Sequence, residues 1–185
     1  MQSPELRPLR FAYTVSVLTI ERFAQWVRIT PAPGNVVYEN NQTWELFEIV
    51  VHSPSEHKIS GEAFDAEIQF IHRKQKSSEI MHLSIFANEG SKNEQFAKIV
   101  EQIPKHAKGR RVVSGVDLRQ LIPNRKNYFT YSGSETKPPC QEGIRWVLLK
   151  QSITLGPSQL DATEHRLGPN TRPIQKIHQR IPLRN

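Results

Sequence analysis

Seven short stretches rich in β-branched and aromatic residues, each bounded by turn formers, set what this 185-residue chain can fold into. They run from Thr14 to Ile20, Trp26 to Thr30, Val36 to Tyr38, Trp44 to His52, Ala66 to His72, Ile80 to Ala87 and Ile144 to Ile153. Pro31-Ala32-Pro33-Gly34, Ser53-Pro54-Ser55, Ser132-Gly133-Ser134 and Pro138-Pro139 punctuate the chain as turns rather than linkers. Without a repeat, a low-complexity tract or a composition break, the chain reads as one mainly β (α+β) domain over residues 1–185. One stretch has helical period instead. Phe96, Ala97, Ile99, Val100 and Ile103 share a face after a cap at Asn93 and before Pro104, which predicts a surface helix packed on the sheet. Shorter helical turns are expected at Val116 to Leu121 and at Ser158 to Ala162.

Composition matters where it excludes. A single Cys140 forms no intrachain disulfide and no Cys-rich zinc module. No apolar run is long enough to span a bilayer, and Thr14, Ser16 and Thr19 interrupt the one stretch that follows basic residues, so neither a membrane span nor a signal peptide is expected. The formal charge of +7 is uneven: residues 1–100 carry a net −2 and residues 101–185 a net +9. Lys105, Lys108, Arg110, Arg111, Arg172, Lys176, Arg180 and Arg184 make up the candidate docking surface. Residues 172–185 read as an extended partner-binding tail.

Two neighbouring strands bring polar residues to one place. On the first, Val50 and His52 face one side, and on the second Glu67, Gln69 and Ile71 share a face. Turn formers from Lys58 to Gly61 favour antiparallel pairing, which points Gln69 into the space of Val50 and His52. The stretches Val50-Val51-His52, Ser55-Glu56-His57 and Glu67-Ile68-Gln69 resemble the His-x-His, Ser-Glu-His and Glu-x-His elements of the α-type carbonic anhydrases. Tyr131-Ser132-Gly133-Ser134-Glu135-Thr136-Lys137-Pro138-Pro139 with the strand of Trp146, Asn170-Thr171-Arg172-Pro173-Ile174-Gln175, and Gln2-Ser3-Pro4 resemble three further segments of that family. The resemblance implies a large twisted, mostly antiparallel central β-sheet with a few peripheral short helices, in a chain trimmed in length.

The same resemblance implies zinc held by three imidazoles, with a metal-bound water acidic enough to yield hydroxide near neutral pH. Here the three ligand positions read Val50, His52 and Gln69; valine has no lone pair and glutamine is a weak neutral donor. No histidine precedes His52, where the resembled enzymes place a proton shuttle, and Glu135 stands where they have an apolar wall. Glu56, His57, Glu67, Thr136 and Trp146 match the scaffold around that site, with Thr136 bonded to Glu56. His57 reads as a buried hydrogen-bonded residue; His72, His82, His106, His165 and His178 lack partners at metal spacing, and a relocated zinc site using His52 with His57 or His82 is the minor alternative.

The expectations are therefore no cofactor, no metal, no catalytic residue, no small-molecule substrate, and not an enzyme. A carbonic anhydrase-like structural or interaction subunit of a larger intracellular assembly, mitochondrial in location, is the expected function, with other protein subunits as partners. Contact with a polyanion is the alternative, and residual zinc-dependent carbon dioxide hydration ranks last.

Overall fold

The computed structural model describes residues 6, 8–23, 26–137, 139–168, 170–175 and 182–184. Fourteen strands form among them: β1 (Arg10–Ala12), β2 (Val15–Arg22), β3 (Val27–Pro31), β4 (Val36–Glu39), β5 (Gln42–His52), β6 (Lys58–Ile59), β7 (Glu62–Ala63), β8 (Ala66–Lys74), β9 (Ile80–Glu89), β10 (Arg110–Asp117), β11 (Tyr128–Ser134), β12 (Glu142–Leu149), β13 (Ile153–Leu155) and β14 (Leu183–Arg184). Two helices join them, α1 (Glu94–Val100) and α2 (Pro157–Leu167), with a 3₁₀ turn at Leu118–Leu121.

All strands but β6 and β7 belong to one sheet, whose main path runs β10-β2-β3-β5-β8-β9-β12-β11-β14. Its pairs are antiparallel except for β9 with β12 and with β13. The sheet is thus mixed but mostly antiparallel, as expected. The seven stretches read from sequence coincide with its strands, apart from Thr14 and Trp26, which each precede a strand by one residue; the last is divided into β12 and β13 by Lys150 to Ser152.

The middle of the sheet is buried on both faces. From Ala66 to His72 every residue of β8 is buried, which is why this strand reads as an apolar run instead of an alternation. One face packs under α1 through Phe96, Ile99 and Val100, joined by Leu18, Ile20, Phe70, Leu83 and Ile85. The opposite face carries a smaller cluster of Phe86, Ile144, Trp146 and Leu148. Helix α1 begins where the sequence puts it: the Asn93 side chain accepts from the N–H groups of Gln95 and Phe96. Helix α2 is longer than the expected turn because Gly156-Pro157 starts it and its buried side, Gln159 and Thr163, is polar and lacks an apolar period.

Candidate functional site

The site is built on the smaller-cluster face, where β5, β8, β9 and β12 lie side by side. Val50 stands opposite Gln69, and His52 opposite Glu67, as the antiparallel pairing requires. Gln69 in turn faces Ser84, and His82 faces Trp146. Period-two alternation therefore brings Val50, His52, Glu67, Gln69, His82 and Ser84 to one face.

Glu67 is the hub and is fully buried. Its Oε2 accepts from the backbone N–H groups of Glu56 (3.0 Å) and His57 (2.9 Å). Its Oε1 pairs with His57 Nδ1 at 2.8 Å and accepts from Gln69 Nε2 at 3.0 Å and Ser84 Oγ at 2.7 Å. Burial alone raises a carboxyl pKa, but the charge of His57 and the hydrogen bonds it makes outweigh that and bring Glu67 down to about 2. Burial alone lowers His57; the charge and hydrogen bond of Glu67, with a contribution from Glu56, win and raise it above the usual imidazole value. His57 Nε2 meets the Tyr131 hydroxyl at 2.7 Å, and its ring lies edge-on to Trp146, 4.7 Å away. Trp146 donates from Nε1 to Ser134 O at 3.1 Å and contacts His82 on its other side at 4.4 Å.

Gln69 settles how the three ligand positions behave. Its Nε2 donates to Glu56 Oε2 at 3.1 Å as well as to Glu67, so the carboxamide turns its N–H edge toward two carboxylates. Val50 offers no donor atom. His52 Nδ1 lies 2.8 Å from Asn170 O, while its Nε2 lies 3.4 Å from Glu56 Oε2 without a hydrogen-bond partner among the described residues. A zinc ion needs several good donors converging on one point; here one imidazole, a methyl-bearing wall and an amide N–H converge instead. The residues present do not fit zinc held as the resemblance implies. No group of three His, Cys, Asp or Glu side chains able to hold a metal occurs among the described residues.

The expected bond between Thr136 and Glu56 is not formed among the described residues. Glu56 is taken by Gln69 and, through Oε1, by the Arg172 N–H at 3.1 Å. Lys137, next to Thr136, reaches Glu48 Oε1 at 2.7 Å and lies 4.5 Å from the Trp26 ring centre. This bridge joins residues 89 apart and was not legible in the sequence. His82, which the sequence offers only as a minor partner of His52 in a relocated zinc site, is buried beside Trp146 with neither ring nitrogen hydrogen-bonded among the described residues, and burial, the largest cause, lowers it to about 3. Strand alternation with Ser84 was the available signal for its place on this face.

Beside the network opens a cavity of about 520 Å³, walled by Tyr131, Phe129, Trp146, Leu148, Pro173 and Ile174. The segment of Asn170 closes over the strands: its Nδ2 donates to Val51 O at 2.7 Å, and its Oδ1 accepts from Ser53 N at 3.2 Å.

The candidate docking surface does not form one patch. Lys105, Lys108, Arg110 and Arg111 lie at or just before β10, at one end of the sheet, whereas Arg184 lies on β14 at the other. Arg172 belongs to the cavity wall and to Glu56. Lys176 and Arg180 lie outside the described residues. Charge density along a sequence cannot show that a sheet carries two basic stretches to opposite edges.

Comparison with known proteins gives concordant matches. The family model for eukaryotic-type carbonic anhydrase matches residues 13–183. A protein of Pectobacterium carotovorum named carbonic anhydrase is 33% identical over 94% of this chain and 72% of its own. Dioscorin DB3L of Dioscorea polystachya is 30% identical over 96% of this chain and 68% of its own. Among solved structures, the α-carbonic anhydrase of Thermovibrio ammonificans, in complex with sulfanilamide, superposes with a TM-score of 0.91 at 26% identity, covering 97% of this chain and 80% of that one. Dioscorin complexed with ascorbate gives 0.88 at 27% identity, covering 98% and 79%. The expectation that the chain is not an enzyme is overturned by these relatives: bacterial proteins 28–33% identical are named carbonic anhydrases, which points to an enzyme. On a family model that spans 13–183 and relatives aligned over nearly its full length, the chain belongs to the eukaryotic-type carbonic anhydrase family.

Proposed function

We propose that this chain serves as an interaction subunit built on the carbonic anhydrase fold, docking within a larger protein assembly. The observation that carries this reading is the hydrogen-bonded closure of the Glu56, Glu67 and Gln69 network, which lets the fold stand on its own donors and acceptors. A fold held that way is free to use its surfaces for contact. Sedimentation of native extracts tests it: the chain is expected in a fraction much heavier than its 21.3 kDa monomer, and recovery as free monomer overturns the reading.

A second reading is carbon dioxide hydration, favoured by the bacterial relatives named carbonic anhydrase. Stopped-flow hydration with the purified chain, before and after dialysis against zinc, tests it directly. A rate above the buffer reaction supports it, and a rate equal to buffer in both preparations removes it.

A further inference from the structure

We propose that the outer edge of β10 is a docking site for an extended acidic segment of a partner protein, which adds to the sheet as a further strand. This rests on the interaction-subunit reading and names the surface and the chemistry of what it takes.

Three observations meet at this edge. First, β10 has one strand neighbour, β2, and is the edge of the sheet among the described residues. An edge strand presents unpaired N–H and C=O groups to any chain that can lie beside it. The C-terminal end of β10 is already capped, since Lys98 Nζ donates to Gly115 O at 2.6 Å and Gln95 Oε1 accepts from Asp117 N at 2.9 Å. At the open end the Arg111 guanidinium folds back onto Arg110 O at 3.1 Å, a contact an incoming strand displaces. The accessible edge is thus Arg110 to Ser114.

Second, beside its arginines that edge exposes apolar side chains. Val112 is 61% exposed, and Val15 and Val17 on β2 are 55% and 45% exposed. Val112 pairs across with Thr19, so period-two alternation puts it on the same face as Val17 and Val15. Charges and bulges discourage unselective pairing at natural edges, and here Arg110, Arg111 and the bulge between Val113 and Val116 leave the edge open to a partner that complements the charge.

Third, four exposed cations, Lys105, Lys108, Arg110 and Arg111, stand at the start of the edge, and none of them makes an ion pair among the described residues. Glu21, cross-strand from Arg110, is the carboxylate at that end. The charge selects an acidic partner, and the valines beside it select a peptide with alternating apolar side chains over a uniformly charged polymer. The positive end also opposes pairing with a second copy of the same edge in parallel register.

The test uses the full chain and a fluorescein-labelled synthetic peptide, Asp-Glu-Asp-Thr-Val-Thr-Val-Thr, read by fluorescence anisotropy. The peptide is expected to bind, and binding is expected to weaken as salt rises. Arg110→Glu with Arg111→Glu is expected to weaken it about tenfold, and Val112→Ser, which removes the apolar contact without changing the charge, to weaken it severalfold, with the melting temperature of each variant close to that of the parent. Absence of peptide binding, or equal binding by both variants, overturns the proposal. So does binding of a heparin oligosaccharide without binding of the peptide, which makes the edge a polyanion site, and so does a dimer of the chain abolished by Val112→Lys, which makes the occupant a second copy. A heavy native fraction together with no peptide binding removes this surface while leaving the interaction-subunit reading intact.

Discussion

Five donors on one fully buried carboxylate make Glu67 the residue on which the site depends. Glu67→Ala leaves the His57 and Glu56 N–H groups and the Gln69 and Ser84 donors without their acceptor. A loss of more than about 3 kcal/mol in urea unfolding at neutral pH is expected. The three ligand positions give a second test. Val50 and Gln69 are direct cross-strand partners and His52 lies two residues on, so Val50→His with Gln69→His brings three imidazoles to one face. That double variant is expected to retain stoichiometric zinc through dialysis, by metal analysis, where the parent does not. The buried histidines give a third. His72 and His82 are each lowered to about 3, chiefly by burial. Both are neutral when folded, so their contribution is present above the unfolded imidazole value near 6.5 and is lost as pH falls from there toward 3. Thermal melts are expected to drop steadily below about pH 6.5, by roughly 1 kcal/mol per pH unit per histidine, and Tyr13→Phe, which removes the hydroxyl 2.7 Å from His72 Nε2, is expected to destabilise at every pH. That Gln69 shares a space with Val50 and His52 was legible from alternation and the turn formers between the two strands; their direct register was not. The orientation of the Gln69 amide was not, because a carboxamide offers either an oxygen or an N–H edge and only the two carboxylates around it decide.

Secondary structure was legible where burial imposes a period and hidden where it does not. Strands β2, β5, β8 and β9 bury a face or both, and their apolar residues show it. Strand β10 exposes most of its residues at the end of the sheet, so its Arg110-Arg111 start read as a charge cluster. Helix α2 hides its inner face in Gln159 and Thr163, which no hydrophobic period reveals. Gln159 explains why: its Oε1 accepts from Asn93 N and Gly156 N at 2.9 Å each, and its Nε2 donates to Asn93 O at 2.7 Å, joining the starts of both helices. Asn93 caps α1 through two 3.0 Å bonds from the N–H groups of Gln95 and Phe96. Asn93→Ala is expected to cost about 1 kcal/mol, and Asn93→Gly only a few tenths, in chemical denaturation. Equal losses for the two would show that the side-chain cap is not what holds the start of α1.

Across the whole molecule the polar site is closed by chain that comes from far away. Residues 170–175 return over the end of β5 and the turn after it, and Leu183–Arg184 pairs with β11 beyond them. The sequence offered residues 172–185 as a tail for partners, since the composition is polar and nothing local fixes it; the bonds from Asn170 and the Arg172 N–H that hold its start reach back more than a hundred residues. His52 Nδ1 meets Asn170 O at 2.8 Å, Val51 O accepts from Asn170 Nδ2 at 2.7 Å, and Glu56 Oε1 accepts from Arg172 N at 3.1 Å. Each joins this strap to the β5 strand or the turn after it, the element that carries His52. Such long-range bonds cost loop closure once and then stabilise as a group, so losing one loosens the others. Asn170→Ala is expected to cost about 2–3 kcal/mol, since it leaves Val51 O and Ser53 N without their partners. Ending the chain at Gly168 removes every one of these bonds together with the Arg184 and Leu183 ladder. That truncated chain is expected to melt well below the parent and to be cleaved by trypsin in the 52–58 turn, where the intact chain resists. Unchanged melting and unchanged cleavage would place the stability of the site in the sheet alone, with the returning segment only resting on it.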